Sequence, residues 1–406
     1  MSSLSPDPKH ILVRMPNWLG DMVMAAWFIR DLQVQFPNAE LHLIVKTPLR
    51  ELARLFPGHT SLIFFNKNQW PGLIGSLRFA RWALRCIPYD YFFCLPNSFS
   101  SAWMGYYSSA RIRIGYKNEF RNFLLSHSLK KPAGLHRVDD YRYLLHRWFP
   151  ERGEHLPTTT PPATLSPGSL PALGGQPALG GQPALGGLPA PGAHTTQEEH
   201  LAQVILQHPH PRNPIHLMED GITIVLNINS QAPSRRLTLE GWQRIIMELR
   251  RRLKESLTED FSRVRFYLPG SQSEESRVRQ LIDMAGDDND LIDCCGRTDL
   301  LQLADLMKRA RLVISSDSGP AHLANAYHTP TIVLFGAGNE KSTAPYCPDS
   351  LRIIKNDSLK CRPCVKNHCP LKANHCLESL SPEFIADTAI ELLNLIPHSP
   401  AINSGD

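Results

Sequence analysis

Leu312-Val313-Ile314-Ser315-Ser316-Asp317-Ser318-Gly319-Pro320-Ala321-His322-Leu323-Ala324-Asn325-Ala326 is the stretch on which the fold turns. It reads as a short buried strand, a polar turn and a helix of small residues. Ser316, Asp317 and Ser318 are N-cap residue types, and Gly319 permits a tight turn. The helix start offers unpaired backbone N–H groups and the positive end of a dipole, which together suit phosphate. Thr331-Ile332-Val333-Leu334-Phe335 follows as a second strand and runs into Gly336-Ala337-Gly338. Strand, turn, helix, strand is a βαβ unit, and ligands of such units bind outside the carboxyl ends of the strands. A plain connecting turn is the alternative.

Working outward, the same pattern repeats on both sides. Ile222–Asn227 is a strand that ends in Asn229-Ser230-Gln231-Ala232-Pro233-Ser234-Arg235-Arg236. Two arginines at a strand end can clamp a diphosphate. As surface residues beside a helix start they would oppose its dipole. Val264–Leu268 is the next strand, ending near Glu274 and Glu275. A carboxylate there takes ribose hydroxyls in nucleotide sites, or caps the following helix. Leu291-Ile292-Asp293 is a third strand, and Asp299 caps the helix after it. The order predicts a doubly wound sheet.

An independent βαβ series opens the chain. Ile11–Arg14 reads as a strand, Met15–Asp21 as a turn, Met22–Gln35 as a helix and Leu41–Val45 as a strand. The turn is not GxGxxG, so a dinucleotide fingerprint is absent. It carries a single carboxylate, Asp21, which is either a helix cap or a general base at the mouth of an open sheet. Further strands are expected at Leu62–Phe65 and Tyr91–Leu95, with a helix from Leu73 to Arg85 between them. Pro96-Asn97-Ser98-Phe99-Ser100-Ser101 then forms a hydroxyl-rich strand end that hydrogen-bonds a sugar or caps a helix. Basic residues from Lys117 to Lys131, including Arg121, and then His136 and Arg137 fall on loops or helix starts after Ile112–Tyr116. An anionic substrate could reach them there.

Charge follows this division. Residues 1–155 hold 20 Lys and Arg against 11 Asp and Glu, whereas the rest holds 23 against 27. A basic N-terminal half points to an anionic partner or to a solvated surface. No apolar run reaches the roughly 18 residues of a membrane span. The first ten residues lack a signal-peptide core, so a cytoplasmic location is expected. Residues 156–197 contain no Lys, Arg, Asp or Glu and include three copies of Pro-Ala-Leu-Gly-Gly. Such sequence assembles no core and reads as a linker. Domains are therefore expected at 1–155 and 201–390, with a low-complexity linker over 156–200 and a tail over 391–406.

Cys361, Cys364, Cys369 and Cys376 stand close together near the C-terminus. A cytosolic chain argues against disulfides. Four thiolates could hold zinc or iron, but the spacing is not paired CxxC, and reduced structural thiols are the alternative.

Pro16-Asn17-Trp18-Leu19-Gly20-Asp21-Met22-Val23-Met24, Leu95–Ala102, Ser316–Ala324 and Cys361-Arg362-Pro363-Cys364 occur in this order. In them the chain resembles the heptosyltransferase II group of glycosyltransferase family 9. The resemblance spans nearly all of the chain outside 156–200. It implies an α/β GT-B fold, two doubly wound Rossmann-like domains facing across a cleft. It also implies an inverting transferase that moves heptose from ADP-L-glycero-D-manno-heptose to the heptosyl-Kdo-lipid A inner core of lipopolysaccharide. Asp21 would be the base. Arg235, Arg236, Glu274, Glu275, Asp317, Ser318, Gly319 and His322 would bind the donor. Asn97, Ser98, Arg121 and His136 would bind the acceptor. No cofactor is obligatory in that scheme, no nucleic-acid partner is expected, and peripheral contact with the inner membrane fits a lipid acceptor. The family's usual Lys-Arg-Trp-Pro is replaced here by Arg235-Arg236-Leu237-Thr238. Alternatives are a same-fold transferase acting on a protein or another polysaccharide, and a nucleic-acid-binding module, which leaves the strand-end residues unexplained. An isomerase of nucleotide sugars can also share the architecture.

Overall fold

The computed structural model describes residues 7–150 and 221–394, apart from Pro57, Glu119, Asp287, Asp288 and Lys372. The Pro-Ala-Leu-Gly-Gly repeats and residues 395–406 lie outside the described residues. The chain divides into two compact units, Met1–His210 and Pro211–Asp406.

In the first unit the strands are β1 (His10–Arg14), β2 (Glu40–Lys46), β3 (Ser61–Phe65), β4 (Tyr91–Cys94), β5 (Ile112–Tyr116) and β6 (His127–Leu129). They form one sheet in the order β3-β2-β1-β4-β5-β6, and every pairing is parallel. The second unit repeats the plan. Its strands are β7 (Ile222–Asn227), β8 (Val264–Leu268), β9 (Leu291–Asp293), β10 (Leu312–Ser316), β11 (Thr331–Phe335) and β12 (Leu351–Lys355). Their order is β12-β11-β10-β7-β8-β9, again all parallel. In both sheets the strand order reverses beside the first strand, between β1 and β4 and between β7 and β10. A crevice opens at such a switch point on the carboxyl side.

The strands read as they do because helices cover both faces of a parallel sheet. All five residues of β10 and of β11 are buried. In the first unit, alternate residues of β4 serve opposite faces: Phe93 meets Phe28 edge-on at 5.4 Å, while Phe92 packs toward the helix Phe99–Tyr107. A Cβ at Gly105 of that helix would stand 2.2 Å from the Phe92 ring, so glycine sets how closely helix and strand approach. The helix Leu239–Leu257 buries Trp242, Ile245, Ile246, Leu249 and Leu253, the spacing of a one-sided amphipathic helix.

Three expectations are corrected. The helix expected from Met22 begins at Leu19, and it is two helices, Leu19–Met24 and Ala26–Gln35. The Ala25 N–H reaches both Asp21 O and Met22 O, a tightening that interrupts the α-ladder. The basic stretch after Lys117 is not wholly loop, since β6 lies within it as a three-residue edge strand. β12 and the helix Pro382–Asn394 complete the second unit without having been anticipated.

Candidate active site

In the first unit the carboxyl ends of β1 and β4 enclose a cavity of about 200 Å³ lined by Pro16, Asn17, Trp18, Asp21, the Leu95–Ser98 turn, Tyr116, Lys131, Arg137, Asp140 and Tyr141. Two buried arginines brace the turns that line it. Arg14, the last residue of β1, donates from Nη1 to Met15 O at 2.6 Å and from Nη2 to Asn17 Oδ1 at 2.5 Å. Arg121 is fully buried. Its guanidinium donates to Tyr116 O at 2.9 Å, Pro96 O at 2.5 Å, Ser98 O at 3.2 Å and Asn97 Oδ1 at 3.3 Å. Arg121 is thus the support of the β4 turn, not a group facing a ligand. The planar fork with five donors suits that work, and lysine would not replace it.

Asp21 sits in the first turn of the helix Leu19–Met24, whose N-cap is Trp18. Its Oδ1 lies 3.6 Å from Arg137 Nη1. Arg137 also bonds the Tyr141 phenol and faces Asp140. Asp140 accepts from Lys131 Nζ at 2.5 Å. Burial pushes the Asp140 carboxyl up, and Lys131 and Arg137 pull against that shift. Burial, reinforced by Asp21, also keeps the Tyr141 phenol protonated. The result is an alternating row: cation, buried anion, cation and the Asp21 carboxylate at the open mouth. Sequence reading placed Lys131 and Arg137 only within a basic stretch open to an anionic substrate, and passed over Asp140 and Tyr141. A signal was present, because positions 137, 140 and 141 share one helical face.

The other acceptor-side candidates have local partners. Ser98 is the N-cap of Phe99–Tyr107, and its Oγ accepts from Ser101 N at 3.4 Å. Asn97 lines the cavity while its carbonyl accepts from Asn118. His136 caps the helix Arg137–His146 by accepting from Val138 N at 3.2 Å, and it is not among the residues lining the cavity.

In the second unit the switch-point loops converge on Asp317. Asn227, at the end of β7, donates to Ser315 Oγ at 2.8 Å and Ser318 Oγ at 2.7 Å. This fixes the turn before the helix Gly319–Ala326, where His322 is buried in the first turn. Ser318 is the N-cap by position, and its hydroxyl makes no capping bond. Asp317 is 2% exposed. Its Oδ2 lies 3.2 Å from Arg235 Nη1 without hydrogen-bond geometry. Burial pushes the Asp317 carboxyl up to about 6, with Arg235 opposing and Glu340 adding to the shift. A Cβ at Gly338 would stand 2.1 Å from Asp317 Oδ2, so the glycine after β11 leaves room for the carboxylate. Arg236 turns away and donates through Nε to Ser230 O. Glu274 forms a capping box with Ser271, and Glu275 pairs with Arg279. For Glu274, capping is the arrangement the structure adopts.

The cysteine segment buttresses these loops. Ser234 donates from its amide to Asn367 O at 3.1 Å and from Oγ to Lys366 O at 2.5 Å. Asn374 Nδ2 donates to Pro233 O at 2.9 Å and Arg236 O at 3.0 Å. Arg362 Nε donates to Gly336 O at 2.7 Å, and Val365 N to Ala337 O at 2.8 Å. Cys361, Cys364, Cys369 and Cys376 form no disulfide. Among the described residues they form no group of three sulfurs within metal-ligand reach of one another. Of the two readings of this segment, the gathered four-sulfur metal site is not the one this arrangement shows; the segment is tied by hydrogen bonds to two strand-end loops.

Two parallel sheets of this order, each with polar strand-end loops at its switch point, are the α/β domains of the GT-B fold. The model of glycosyltransferase family 9 (heptosyltransferase) matches residues 77–172 and 251–375, more than half of the chain, and the chain belongs to that family. Lipooligosaccharide heptosyltransferase 2 of Campylobacter jejuni is 33% identical over 24% of this chain and 31% of its own length. That match spans about a third of the curated relative. Lipooligosaccharide heptosyltransferase 2 of Haemophilus influenzae is 23% identical over 95% of this chain and 99% of its own. The structure of Escherichia coli ADP-heptose lipopolysaccharide heptosyltransferase II superposes with a TM-score of 0.64 at 21% identity, covering 95% of this chain and 99% of that one.

Proposed function

We propose that this chain transfers heptose from an ADP-heptose donor to the inner-core heptose of lipopolysaccharide, with inversion. The observation that carries the reading is Asp21, a carboxylate at the β1 switch point, facing a cavity and held beside Arg137. Asp21 takes the proton of an acceptor hydroxyl as that oxygen bonds to the anomeric carbon. The bond from that carbon to the diphosphate breaks, and ADP leaves with the electron pair. Arg137 and Lys131 supply positive charge for an anionic core sugar. On the donor side, the amides at Gly319 and the Arg235 guanidinium suit a diphosphate. Stabilising the leaving charge in this way is the larger part of the work. Asp317 orients Arg235, and Ser318, Arg236 and His322 complete the surroundings.

The test is heptose transfer to a heptose-bearing lipid core by the parent chain and by Asp21→Asn. Loss of about 10²–10⁴-fold with ADP binding retained is the expected result. Full activity in the variant would reduce Asp21 to a first-turn carboxylate. No transfer and no ADP binding by the parent would turn the search to other donors.

The acceptor is a lipid, and the first unit carries a surface suited to one. Phe120 is 92% exposed and Phe123 68%. Phe123 meets Phe99, which stacks on Trp103, which stacks on Tyr106. Arg113 lies over Tyr106 and Arg81 over Tyr107. Aromatic rings beside arginines favour the interface of an anionic membrane. No helix among the described residues is long and apolar enough to cross one. The reading is peripheral contact at the cytoplasmic face.

A further inference from the structure

The first sheet carries a second polar cluster at its other end, where the strands begin. His10 opens β1 and Glu40 opens β2, and the two are register partners. His42 stands two residues after Glu40, so the pleat places it on the same face. Glu40 Oε2 lies 3.3 Å from His10 Nδ1 and 3.8 Å from His42 Nε2, and the two ring nitrogens are 3.4 Å apart. Three ligands bound to one ion at about 2.0–2.1 Å in tetrahedral array are separated by roughly 3.3 Å. Among the described residues this is the one group of three or more such ligands so gathered.

We propose that His10, Glu40 and His42 form a binding site for a divalent transition-metal cation of the zinc type, unrelated to the transfer reaction. Two imidazoles and a carboxylate are the donor set such ions take. The surroundings are built to hold it. His42 is buried, and its Nδ1 is 2.7 Å from Ser61 Oγ at the start of β3. With Nδ1–H donating to Ser61, the Nε2 lone pair faces His10 and Glu40, which is the usual outer partner of a metal-bound histidine. Asp90 Oδ2 accepts from the amides of Lys9 at 2.7 Å and His10 at 3.2 Å, which anchors the first ligand's backbone. Glu40 is half exposed, leaving a water-accessible fourth position. Bound there, the ion ties β1 and β2 together at the amino end of the strands, with β3 supporting through Ser61.

The experiment is titration of the chelator-treated full chain with Co²⁺, followed by visible absorption and thermal unfolding. Expected are d–d bands without a thiolate-to-cobalt charge-transfer band, and a rise in unfolding temperature on adding Zn²⁺. Glu40→Gln and His10→Asn, both at partly exposed positions, should each weaken binding at least tenfold. Ser61→Ala should weaken it about 10- to 100-fold. Cys361→Ser with Cys376→Ser should leave it unchanged. Absence of binding overturns the proposal, as does a thiolate band that survives Glu40→Gln and disappears in the cysteine variant.

Discussion

Asp317 is the residue at which function and stability pull apart. Its carboxyl titrates at about 6 in the fold, because burial outweighs the help of Arg235. A carboxyl raised above its unfolded value favours folding fully below the unfolded pKa, and that favour is lost as pH rises through 6. The charged form costs about 3 kcal/mol at neutral pH. Asp317→Asn should therefore be more stable than the parent at pH 7.5 and differ little at pH 4, while donor binding weakens. Denaturant unfolding across that window checks this, and parallel pH profiles for the two proteins would discard the account. The same scale shows what the sequence revealed. Asp21 and Asp317 stand out as candidates in the sequence because each lies in the turn or helix start that follows a strand. Arg137, Asp140 and Tyr141 share one helical face, but nothing local says that this face, together with Lys131, meets the β1 cavity from far along the chain. Arg121 was misread for a related reason: a basic residue in a loop looks available until the carbonyls that consume it are seen.

At the scale of elements, the helix Arg137–His146 matters most to the β1 cavity, since it carries Arg137, Asp140 and Tyr141. It is pinned to the helix Ala26–Gln35 by a buried cluster. Arg142 Nε lies 2.7 Å and His146 Nε2 2.8 Å from Asp31 Oδ2. Burial pushes the Asp31 carboxyl up, but His146 and Arg142 more than offset it, and the net shift is downward. This contribution is present above the ordinary carboxylate range and is lost as pH falls through the depressed folded value. Removing the carboxylate with Asp31→Ala leaves buried Arg142 without its counter-ion and should cost about 3–5 kcal/mol. Urea midpoints for parent and variant at pH 7 measure it, and a change below about 1 kcal/mol would mean the cluster is idle. Periodicity showed most strands and long helices before the structure did. It failed for β6, whose three residues are too few to alternate, and for the break at Ala25, where apolar spacing continues through a tightened turn.

At the scale of the whole molecule, the two sheets share one strand order but face different chemistry, one basic and aromatic, the other organised around a buried carboxylate. The basic half of the chain bears the ring cluster Phe99, Trp103, Tyr106 and Phe123. Full-length chain should pellet with vesicles rich in anionic lipid and release as ionic strength rises above about 0.15 M. Phe120→Ser with Phe123→Ser should lower vesicle binding several-fold without altering ADP binding, and equal pelleting by parent and variant would remove this surface from consideration. Charge asymmetry was visible in composition alone, whereas the ring cluster was visible only in part: Phe99, Trp103 and Tyr106 lie on one helix, and Phe123 joins them from the helical turn Arg121–Leu124.

The stitching of the β7 and β11 loops by Ser234, Asn374, Arg362 and Val365 has a consequence for synthesis. A ribosome delivers the arginine loop long before it delivers Asn374. While translation is under way, the strands of the second sheet can pair, yet the loop bearing Arg235 lacks the carbonyl and amide partners that hold it. The loop bearing Arg235 is therefore among the last parts of the nascent chain to mature, and a product truncated before residue 361 would lack both its partners and the core residues Leu377, Leu380, Ile385, Ala386, Ala389 and Leu392.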